Sequence, residues 1–429
     1  MSNKLSLVTT LPTVLSWRQQ MVEGIKQGNS VLGILPKGNV WSDYLTRFCC
    51  QGIVEMTGLW AEDVLLDPAD KSIHLPLSII RQQMDYDAPQ GVELPSVQTF
   101  LQTTDLPDLI IISGLERLEA EVQQTWLDFL LLWQEAAHAI KSAEGRNMPC
   151  LLLFLPLEVD NLRLPQADTG LLVSWWWSLP TVLEVQLLCR LSEGGEMLEL
   201  TGNEAWREAI LAELVGNDLP LLDYLWDYVF EPPKKIIECL AHYARQRGWT
   251  QAKLESWGVP SLVQGSGVSR QLLRAPLAAH RSLWAEGLLS RTPERGVEVS
   301  LAALVVLKRL DQVKHRLWRA QSRLILPILD EWRLEICAAL TQQYGREWVD
   351  WGPTPQTEEQ KKQREQARLD PLTTEWGALK WALFRQPMPE TERFLKQVTW
   401  AQKARNILAH YQLVSFETYE QLLMMKKDS

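Results

Sequence analysis

Four short, almost purely apolar runs alternate with helix-length amphipathic patterns in the first 200 residues: Val31-Leu32-Gly33-Ile34-Leu35, Val64-Leu65-Leu66, Leu109-Ile110-Ile111-Ile112 and Cys150-Leu151-Leu152-Leu153-Phe154. A strand that is apolar at every position, not at alternate ones, has to be covered on both faces. Such strands joined by helices predict a parallel sheet with helices on both sides. The helices are legible by spacing. Residues 10–27 carry Leu11, Val14, Leu15, Trp17, Met21 and Ile25, with Gly28 as the stop, residues 42–56 follow the first run, and residues 122–140 are the clearest. This first domain is expected to span 1–200.

The pattern then turns helical over 204–215, 219–230 and 234–248. After a segment at 278–289, two short strands flank the Pro293-Glu294-Arg295-Gly296 turn. Three helices followed by a hairpin predict a winged-helix-like region over 201–304. A long helical pattern follows over 301–344, expected to kink or break at Pro327. It interleaves Lys308, Arg309, Lys314, His315, Arg316, Arg319 and Arg323 with apolar residues, which fits a solvated helix face or a nucleic-acid contact. Residues 357–370 are almost purely polar and read as an exposed helix or a flexible insertion, before helices at 374–384, 389–409 and 415–424.

Composition narrows the function classes. The 429-residue chain is long enough for several cores, and its net charge of −10 opposes broad non-specific DNA binding. The longest apolar stretches, 151–157 and 170–179, fall well short of the roughly 20 residues a membrane helix needs. Residues 1–17 lack a signal-peptide pattern, so an uncleaved, cytoplasmic protein is expected. Cys49, Cys50, Cys150, Cys189, Cys239 and Cys337 show no paired spacing, which favours reduced thiols and no metal site. No cofactor is expected. The 20 tryptophans read as core and interface residues, with a base-stacking platform as the alternative.

The turn after the first strand reads Gly33-Ile34-Leu35-Pro36-Lys37-Gly38-Asn39-Val40. It keeps the two glycines of a Walker A loop but has Asn39 in place of the phosphate-neutralising Lys and Val40 in place of the magnesium-binding Ser or Thr. At the end of the third strand, Ser113 stands where a Walker B Asp would hold the metal. With those groups missing, no ATPase activity is expected. In element order and these two degenerate motifs, residues 10–200 resemble AAA-type and STAND-type P-loop domains. A doubly wound sheet of another family fits the same pattern.

Near the C-terminus the chain reads Lys403-Ala404-Arg405-Asn406-Ile407-Leu408-Ala409-His410-Tyr411, followed by a second helical pattern from Ser415. An Arg five residues before a His is weak by itself, but the fuller string resembles the HEPN family. That resemblance implies an all-helical bundle over 305–429, often a metal-independent ribonuclease that works as a dimer. It also implies that Arg405 holds the scissile phosphate, that His410 transfers a proton around the 2′-hydroxyl, and that Asn406 positions one of them. The side chains suit those roles, since His titrates near neutrality and Arg is a permanent forked cation. On one helix, Asn406 and His410 share a face, whereas Arg405 and His410 diverge by about 140°. Two facing copies would be needed to converge the groups. The bland alternative is that Arg405 forms a salt bridge and His410 packs at a helix end. His74, His138, His242, His280 and His315 are isolated.

The fold class expected is multidomain α/β plus α: an N-terminal P-loop-like parallel sheet with helices on both faces, a helical and winged-helix-like middle, and an all-α C-terminal bundle. The resemblances imply a component of a bacterial anti-phage defence system that cleaves RNA as a homodimer formed through its C-terminal domain. The alternative is a non-catalytic adaptor that binds an active ATPase or nuclease among the defence-system proteins. A DNA-binding regulator with a basic face near Arg291, Arg295 and Lys308 ranks behind both.

Overall fold

The computed structural model describes residues 7–37, 42–85, 96–102, 106–157, 162–167, 170–177, 179–191, 196–197, 202–264, 275–292, 296–352, 354–386 and 388–427. The chain forms two compact units, each assembled from separate stretches. Unit 1 takes Met1–Glu196, Val215–Asp223 and Gln251–Ala303, and unit 2 takes Met197–Leu214, Tyr224–Thr250 and Leu304–Ser429.

In chain order, unit 1 begins with α1 (Pro12–Lys26), β1 (Ser30–Pro36), α2 (Ser42–Thr57), β2 (Ala61–Leu65), α3 (Pro76–Gln83), α4 (Val97–Leu101), β3 (Leu109–Ser113), α5 (Ala120–Glu144), β4 (Cys150–Leu157), β5 (Leu171–Trp175) and α6 (Val182–Arg190). The five strands form one sheet in the order β2-β3-β4-β1-β5, and every pairing is parallel. Three of the four apolar runs became β1, β3 and β4, whereas the second supplies only Val64 and Leu65 to β2, a strand that starts at Ala61 and leaves Leu65 exposed. The fifth strand, Leu171–Trp175, was not expected as a strand; it adds an edge beside β1. Every side chain of β4 is buried, whereas β2 at the opposite edge buries only Val64.

The 25-residue helix α5 buries Trp126, Leu127, Leu130 and Trp133. Its two buried indoles each find an acceptor, Trp126 at the Ile73 carbonyl (3.1 Å) and Trp133 at the Pro149 carbonyl (2.9 Å). Gly145, in the left-handed region at φ 67°, ends the helix. The buried Glu184 carboxylate on α6 accepts from the Thr13 N–H (2.7 Å) and hydroxyl (2.6 Å), and from the Thr181 N–H (2.9 Å), which ties α6 to the start of α1.

The remaining elements are α7 (Gly202–Leu214), α8 (Leu219–Leu225), α9 (Pro233–Gln246), α10 (Gln251–Ser256), α11 (Val259–Gln264), α12 (Arg281–Ala285), the antiparallel hairpin β6 (Leu289–Thr292) and β7 (Gly296–Val299), α13 (Leu301–Val306), α14 (Leu310–Tyr344), α15 (Glu358–Leu369), α16 (Trp376–Arg385), α17 (Thr391–Ala409) and α18 (Phe416–Lys427). The hairpin belongs to unit 1, where Trp284 on α12 packs its ring against Trp175 of β5 at 5.5 Å. α7 and α9 belong to unit 2.

In unit 2, α14 is the central element and packs against both α7 and α17. Buried Glu213 on α7 pairs with Arg319 and with Arg323 (2.6 Å) on α14, so two cations expected on a solvated face are engaged. α14 runs unbroken through Pro327. The proline and Arg323, whose carbonyl loses its helical donor there, are both on the exposed side, so water can serve that carbonyl. α18 is held to α7 by rings, with Trp206 against Tyr419 at 5.1 Å. The polar stretch 357–370 is the exposed helix α15, started by a Thr357/Gln360 capping box. Most tryptophans act as core, and Trp126, Trp133, Trp249, Trp332 and Trp348 are fully buried. Among the described residues no helix is long and apolar enough to cross a membrane.

Candidate functional site

In unit 1, β1 sits between β4 and β5. The chain leaves β1 toward β2, on the far side of β4 and β3, and leaves β4 toward β5, beyond β1. Connections departing in opposite directions from adjacent parallel strands open a crevice at the strands' carboxyl ends. Gly33 does not lie in that crevice. It lies within β1, level with Phe154 of β4 and Ser174 of β5, and its main chain belongs to the sheet. A Cβ at Gly33 would come within 2.6 Å of the Phe154 ring. The glycine therefore admits that ring, which is a packing role that needs no phosphate. Pairing continues to the Lys37 N–H, which donates to the Leu157 carbonyl at 3.0 Å. Gly38, Asn39 and Val40 lie outside the described residues.

Ser113 ends β3, followed by Gly114 at φ 96°. It lines a cleft of about 930 Å³ between α2 and the sheet, with an apolar floor that includes Ile111, Phe154 and Pro156 and a rim carrying Arg47, Asp63 and Glu116. Cys50 also lines it, but burial, with Asp63 nearby, pushes its thiol up to about 12. A thiol held protonated is a poor nucleophile.

In unit 2, α17 buries Phe394, Val398, Ala401, Ala404 and Leu408 and turns Arg405, Asn406 and His410 to solvent. The Arg405 guanidinium approaches the Glu375 carboxylate at 3.9 Å, with both side chains about half exposed. Together they line a cavity of about 470 Å³ with Asp330 and Arg333. His410 is the residue at which the helix stops, and its N–H donates to the Asn406 carbonyl at 3.1 Å. The next two amides close the helix end: Tyr411 donates to the Leu408 carbonyl and Gln412 to the Ile407 carbonyl, each at 3.0 Å. This is a Schellman arrangement, and the residue in the left-handed position, normally glycine, is Tyr411 at φ 55°.

Trp318 of α14 braces this end. Its indole N–H donates to the Leu408 carbonyl at 2.7 Å, and its ring lies 4.6 Å from Tyr411 and 5.7 Å from His315. Beyond the turn, the buried Gln321 amide both donates to the Val414 carbonyl and accepts from its N–H, each at 2.8 Å, fixing the chain that leaves the site. Arg405 is thus directed at Glu375 and its cavity, while His410 is exposed at the helix end, one residue before Tyr411.

Glu375, Trp318 and the stacking of His315 were missed from the sequence. They come from elements distant in the chain, and only the adjacency of Tyr411 to His410 hinted at an aromatic partner. Of the basic face considered for DNA, Arg291 is buried on β6 and Arg295 lies outside the described residues. No protein-family model matches this chain, and no curated protein matches it at a significant level.

Proposed function

We propose that unit 2 is a HEPN-like, metal-independent ribonuclease module of a cytoplasmic bacterial anti-phage protein, and that unit 1 is a P-loop-like element that docks or senses without hydrolysing nucleotide. The observation that carries this reading is the end of α17, where Arg405, Asn406 and His410 all reach solvent from a helix whose other face is buried. His410 takes the proton of the ribose 2′-hydroxyl as that oxygen attacks phosphorus and the 5′-oxygen leaves. Arg405 holds the phosphate oxygens, and Asn406 orients the reacting groups. Arg405 has to exchange Glu375 for the phosphate, and a long pairing between half-exposed groups is weak enough to allow that. A second copy facing the first through unit 2 supplies the convergence that one helix lacks.

His410→Ala should lower cleavage of total RNA or tRNA, measured without added metal, by roughly 100-fold or more while leaving the circular dichroism unchanged. Full cleavage by that variant would refute the assignment.

A second reading, a non-catalytic adaptor for an active ATPase or nuclease, is favoured by α16. That helix exposes Trp381 (57%) and Phe384 (62%) three residues apart. Large apolar side chains left on one helix face mark an interaction surface. A stable monomer that leaves RNA intact would move the conclusion to this reading.

A further inference from the structure

Tyr411 occupies a backbone conformation that side-chain-bearing residues avoid, yet 67% of its surface is exposed, so burial of the ring does not repay the strain. Glycine or asparagine would close the same helix end with less strain. What the tyrosine adds is a ring. It packs 4.6 Å from Trp318, tilted by 35°, and Trp318 stacks 5.7 Å from exposed His315 at 25°. The three rings form an aromatic row that runs from His315 through Trp318 to Tyr411, the residue following His410, and ends on the exposed tyrosine. The indole N–H is already committed to the Leu408 carbonyl, so the row is held in place before any ligand arrives.

The stretch of chain that leads into Trp318 is of the opposite sign to the chain as a whole. Within residues 308–316 stand Lys308, Arg309, Lys314 and Arg316, with Asp311 as the single carboxylate, in a protein of net charge −10. Lys314 lies one helical turn before Trp318 and is exposed. Ring faces stack bases of any sequence, and flanking cations follow the phosphates of a single strand. An acidic or purely apolar protein segment would use one of these features but not both.

We propose that His315, Trp318 and Tyr411 form a stacking platform for unpaired bases of single-stranded RNA, which lays the strand across the α17 end beside His410. This deepens the ribonuclease reading and rests on it. Because the bases are held by their faces, the preference is for strandedness, not sequence.

The test uses the full-length protein and a labelled 12-nucleotide RNA carrying 2′-O-methyl groups, which cannot be cut by 2′-hydroxyl attack, with fluorescence anisotropy as readout. Tyr411→Gly and Tyr411→Asn, which both tolerate the left-handed backbone, should weaken binding about tenfold. Their melting temperatures should equal or exceed that of the parent, and Tyr411→Phe should bind normally. Equal binding by the Gly and Asn variants, equal affinity for a duplex of the same length, or no binding by the parent protein would each overturn the platform. If the parent binds the strand but leaves unmodified RNA intact, the platform stands and the ribonuclease reading falls. If unmodified RNA is cut with unchanged KM by the Tyr411 variants, the reverse holds.

Discussion

The two places singled out by sequence motifs, Gly33 within β1 of unit 1 and the end of α17 in unit 2, have opposite character. At β1 the motif glycine is closed over by the Phe154 ring, and its main chain is committed to neighbouring strands on both sides. At α17 the motif residues are open, and the closure of the helix is left to a strained tyrosine and a tryptophan from another helix. A glycine in a strand and a glycine in a phosphate loop look identical in sequence. What separates them is the size of the side chain facing them, here contributed from β4. The α17 motif depends on local helical spacing, which sequence does carry.

The contrast can be broken first at β1. Gly33→Ala should destabilise the protein by about 2 kcal/mol, because the added methyl meets the Phe154 ring. Phe154→Leu in the same chain should return part of that loss, measured by urea unfolding as a double-mutant cycle. Additive losses would mean that the ring does not explain the glycine.

At α17, Trp318→Phe keeps a stacked ring but removes the donor to the Leu408 carbonyl, and should cost about 1 kcal/mol. An unchanged unfolding midpoint would show that water serves that carbonyl as well as the indole does.

The smallest effect concerns what the units share. Burial pushes the thiols of Cys49 and Cys337 up to about 12 and that of Cys150 up to about 11. The folded state therefore keeps these protons longer than the unfolded chain does. The stability they contribute is fully present below roughly pH 8.5 and is lost as pH rises toward 11 or 12. Between pH 7 and 8 the unfolding midpoint should hold constant, and a thiol reagent should label these three cysteines only after urea is added. Rapid labelling of the native protein at pH 8 would show that one of the units opens.

The strands apolar at every position were legible because burial on both faces removes the usual alternation, and β1, β3 and β4 emerged where expected. β5 was not, since Leu171–Trp175 runs into two further tryptophans and reads as aromatic core. Helical spacing placed Asn406 and His410 on one face and Arg405 away from His410, but that all three are exposed was not legible in it. Nor were their partners, because Glu375 lies 30 residues before Arg405 and Trp318 reaches Leu408 across 90 residues. Glu213 likewise meets Arg319 across 106 residues, and no local pattern announces such a meeting.

That carboxylate has a consequence for how the chain is made. At synthesis rates of about 5 to 20 residues per second, α7 leaves the ribosome roughly 5 to 20 seconds before α14 exists. During that interval Glu213, with Trp206, Ile210 and Leu211, waits without the helix that will cover it, while 251–303 is delivered to the other unit. The newborn chain thus presents an uncovered helix to chaperones and proteases while its middle is being translated, and a gene fragment starting near residue 304 would yield Arg319 and Arg323 without the acid that neutralises them.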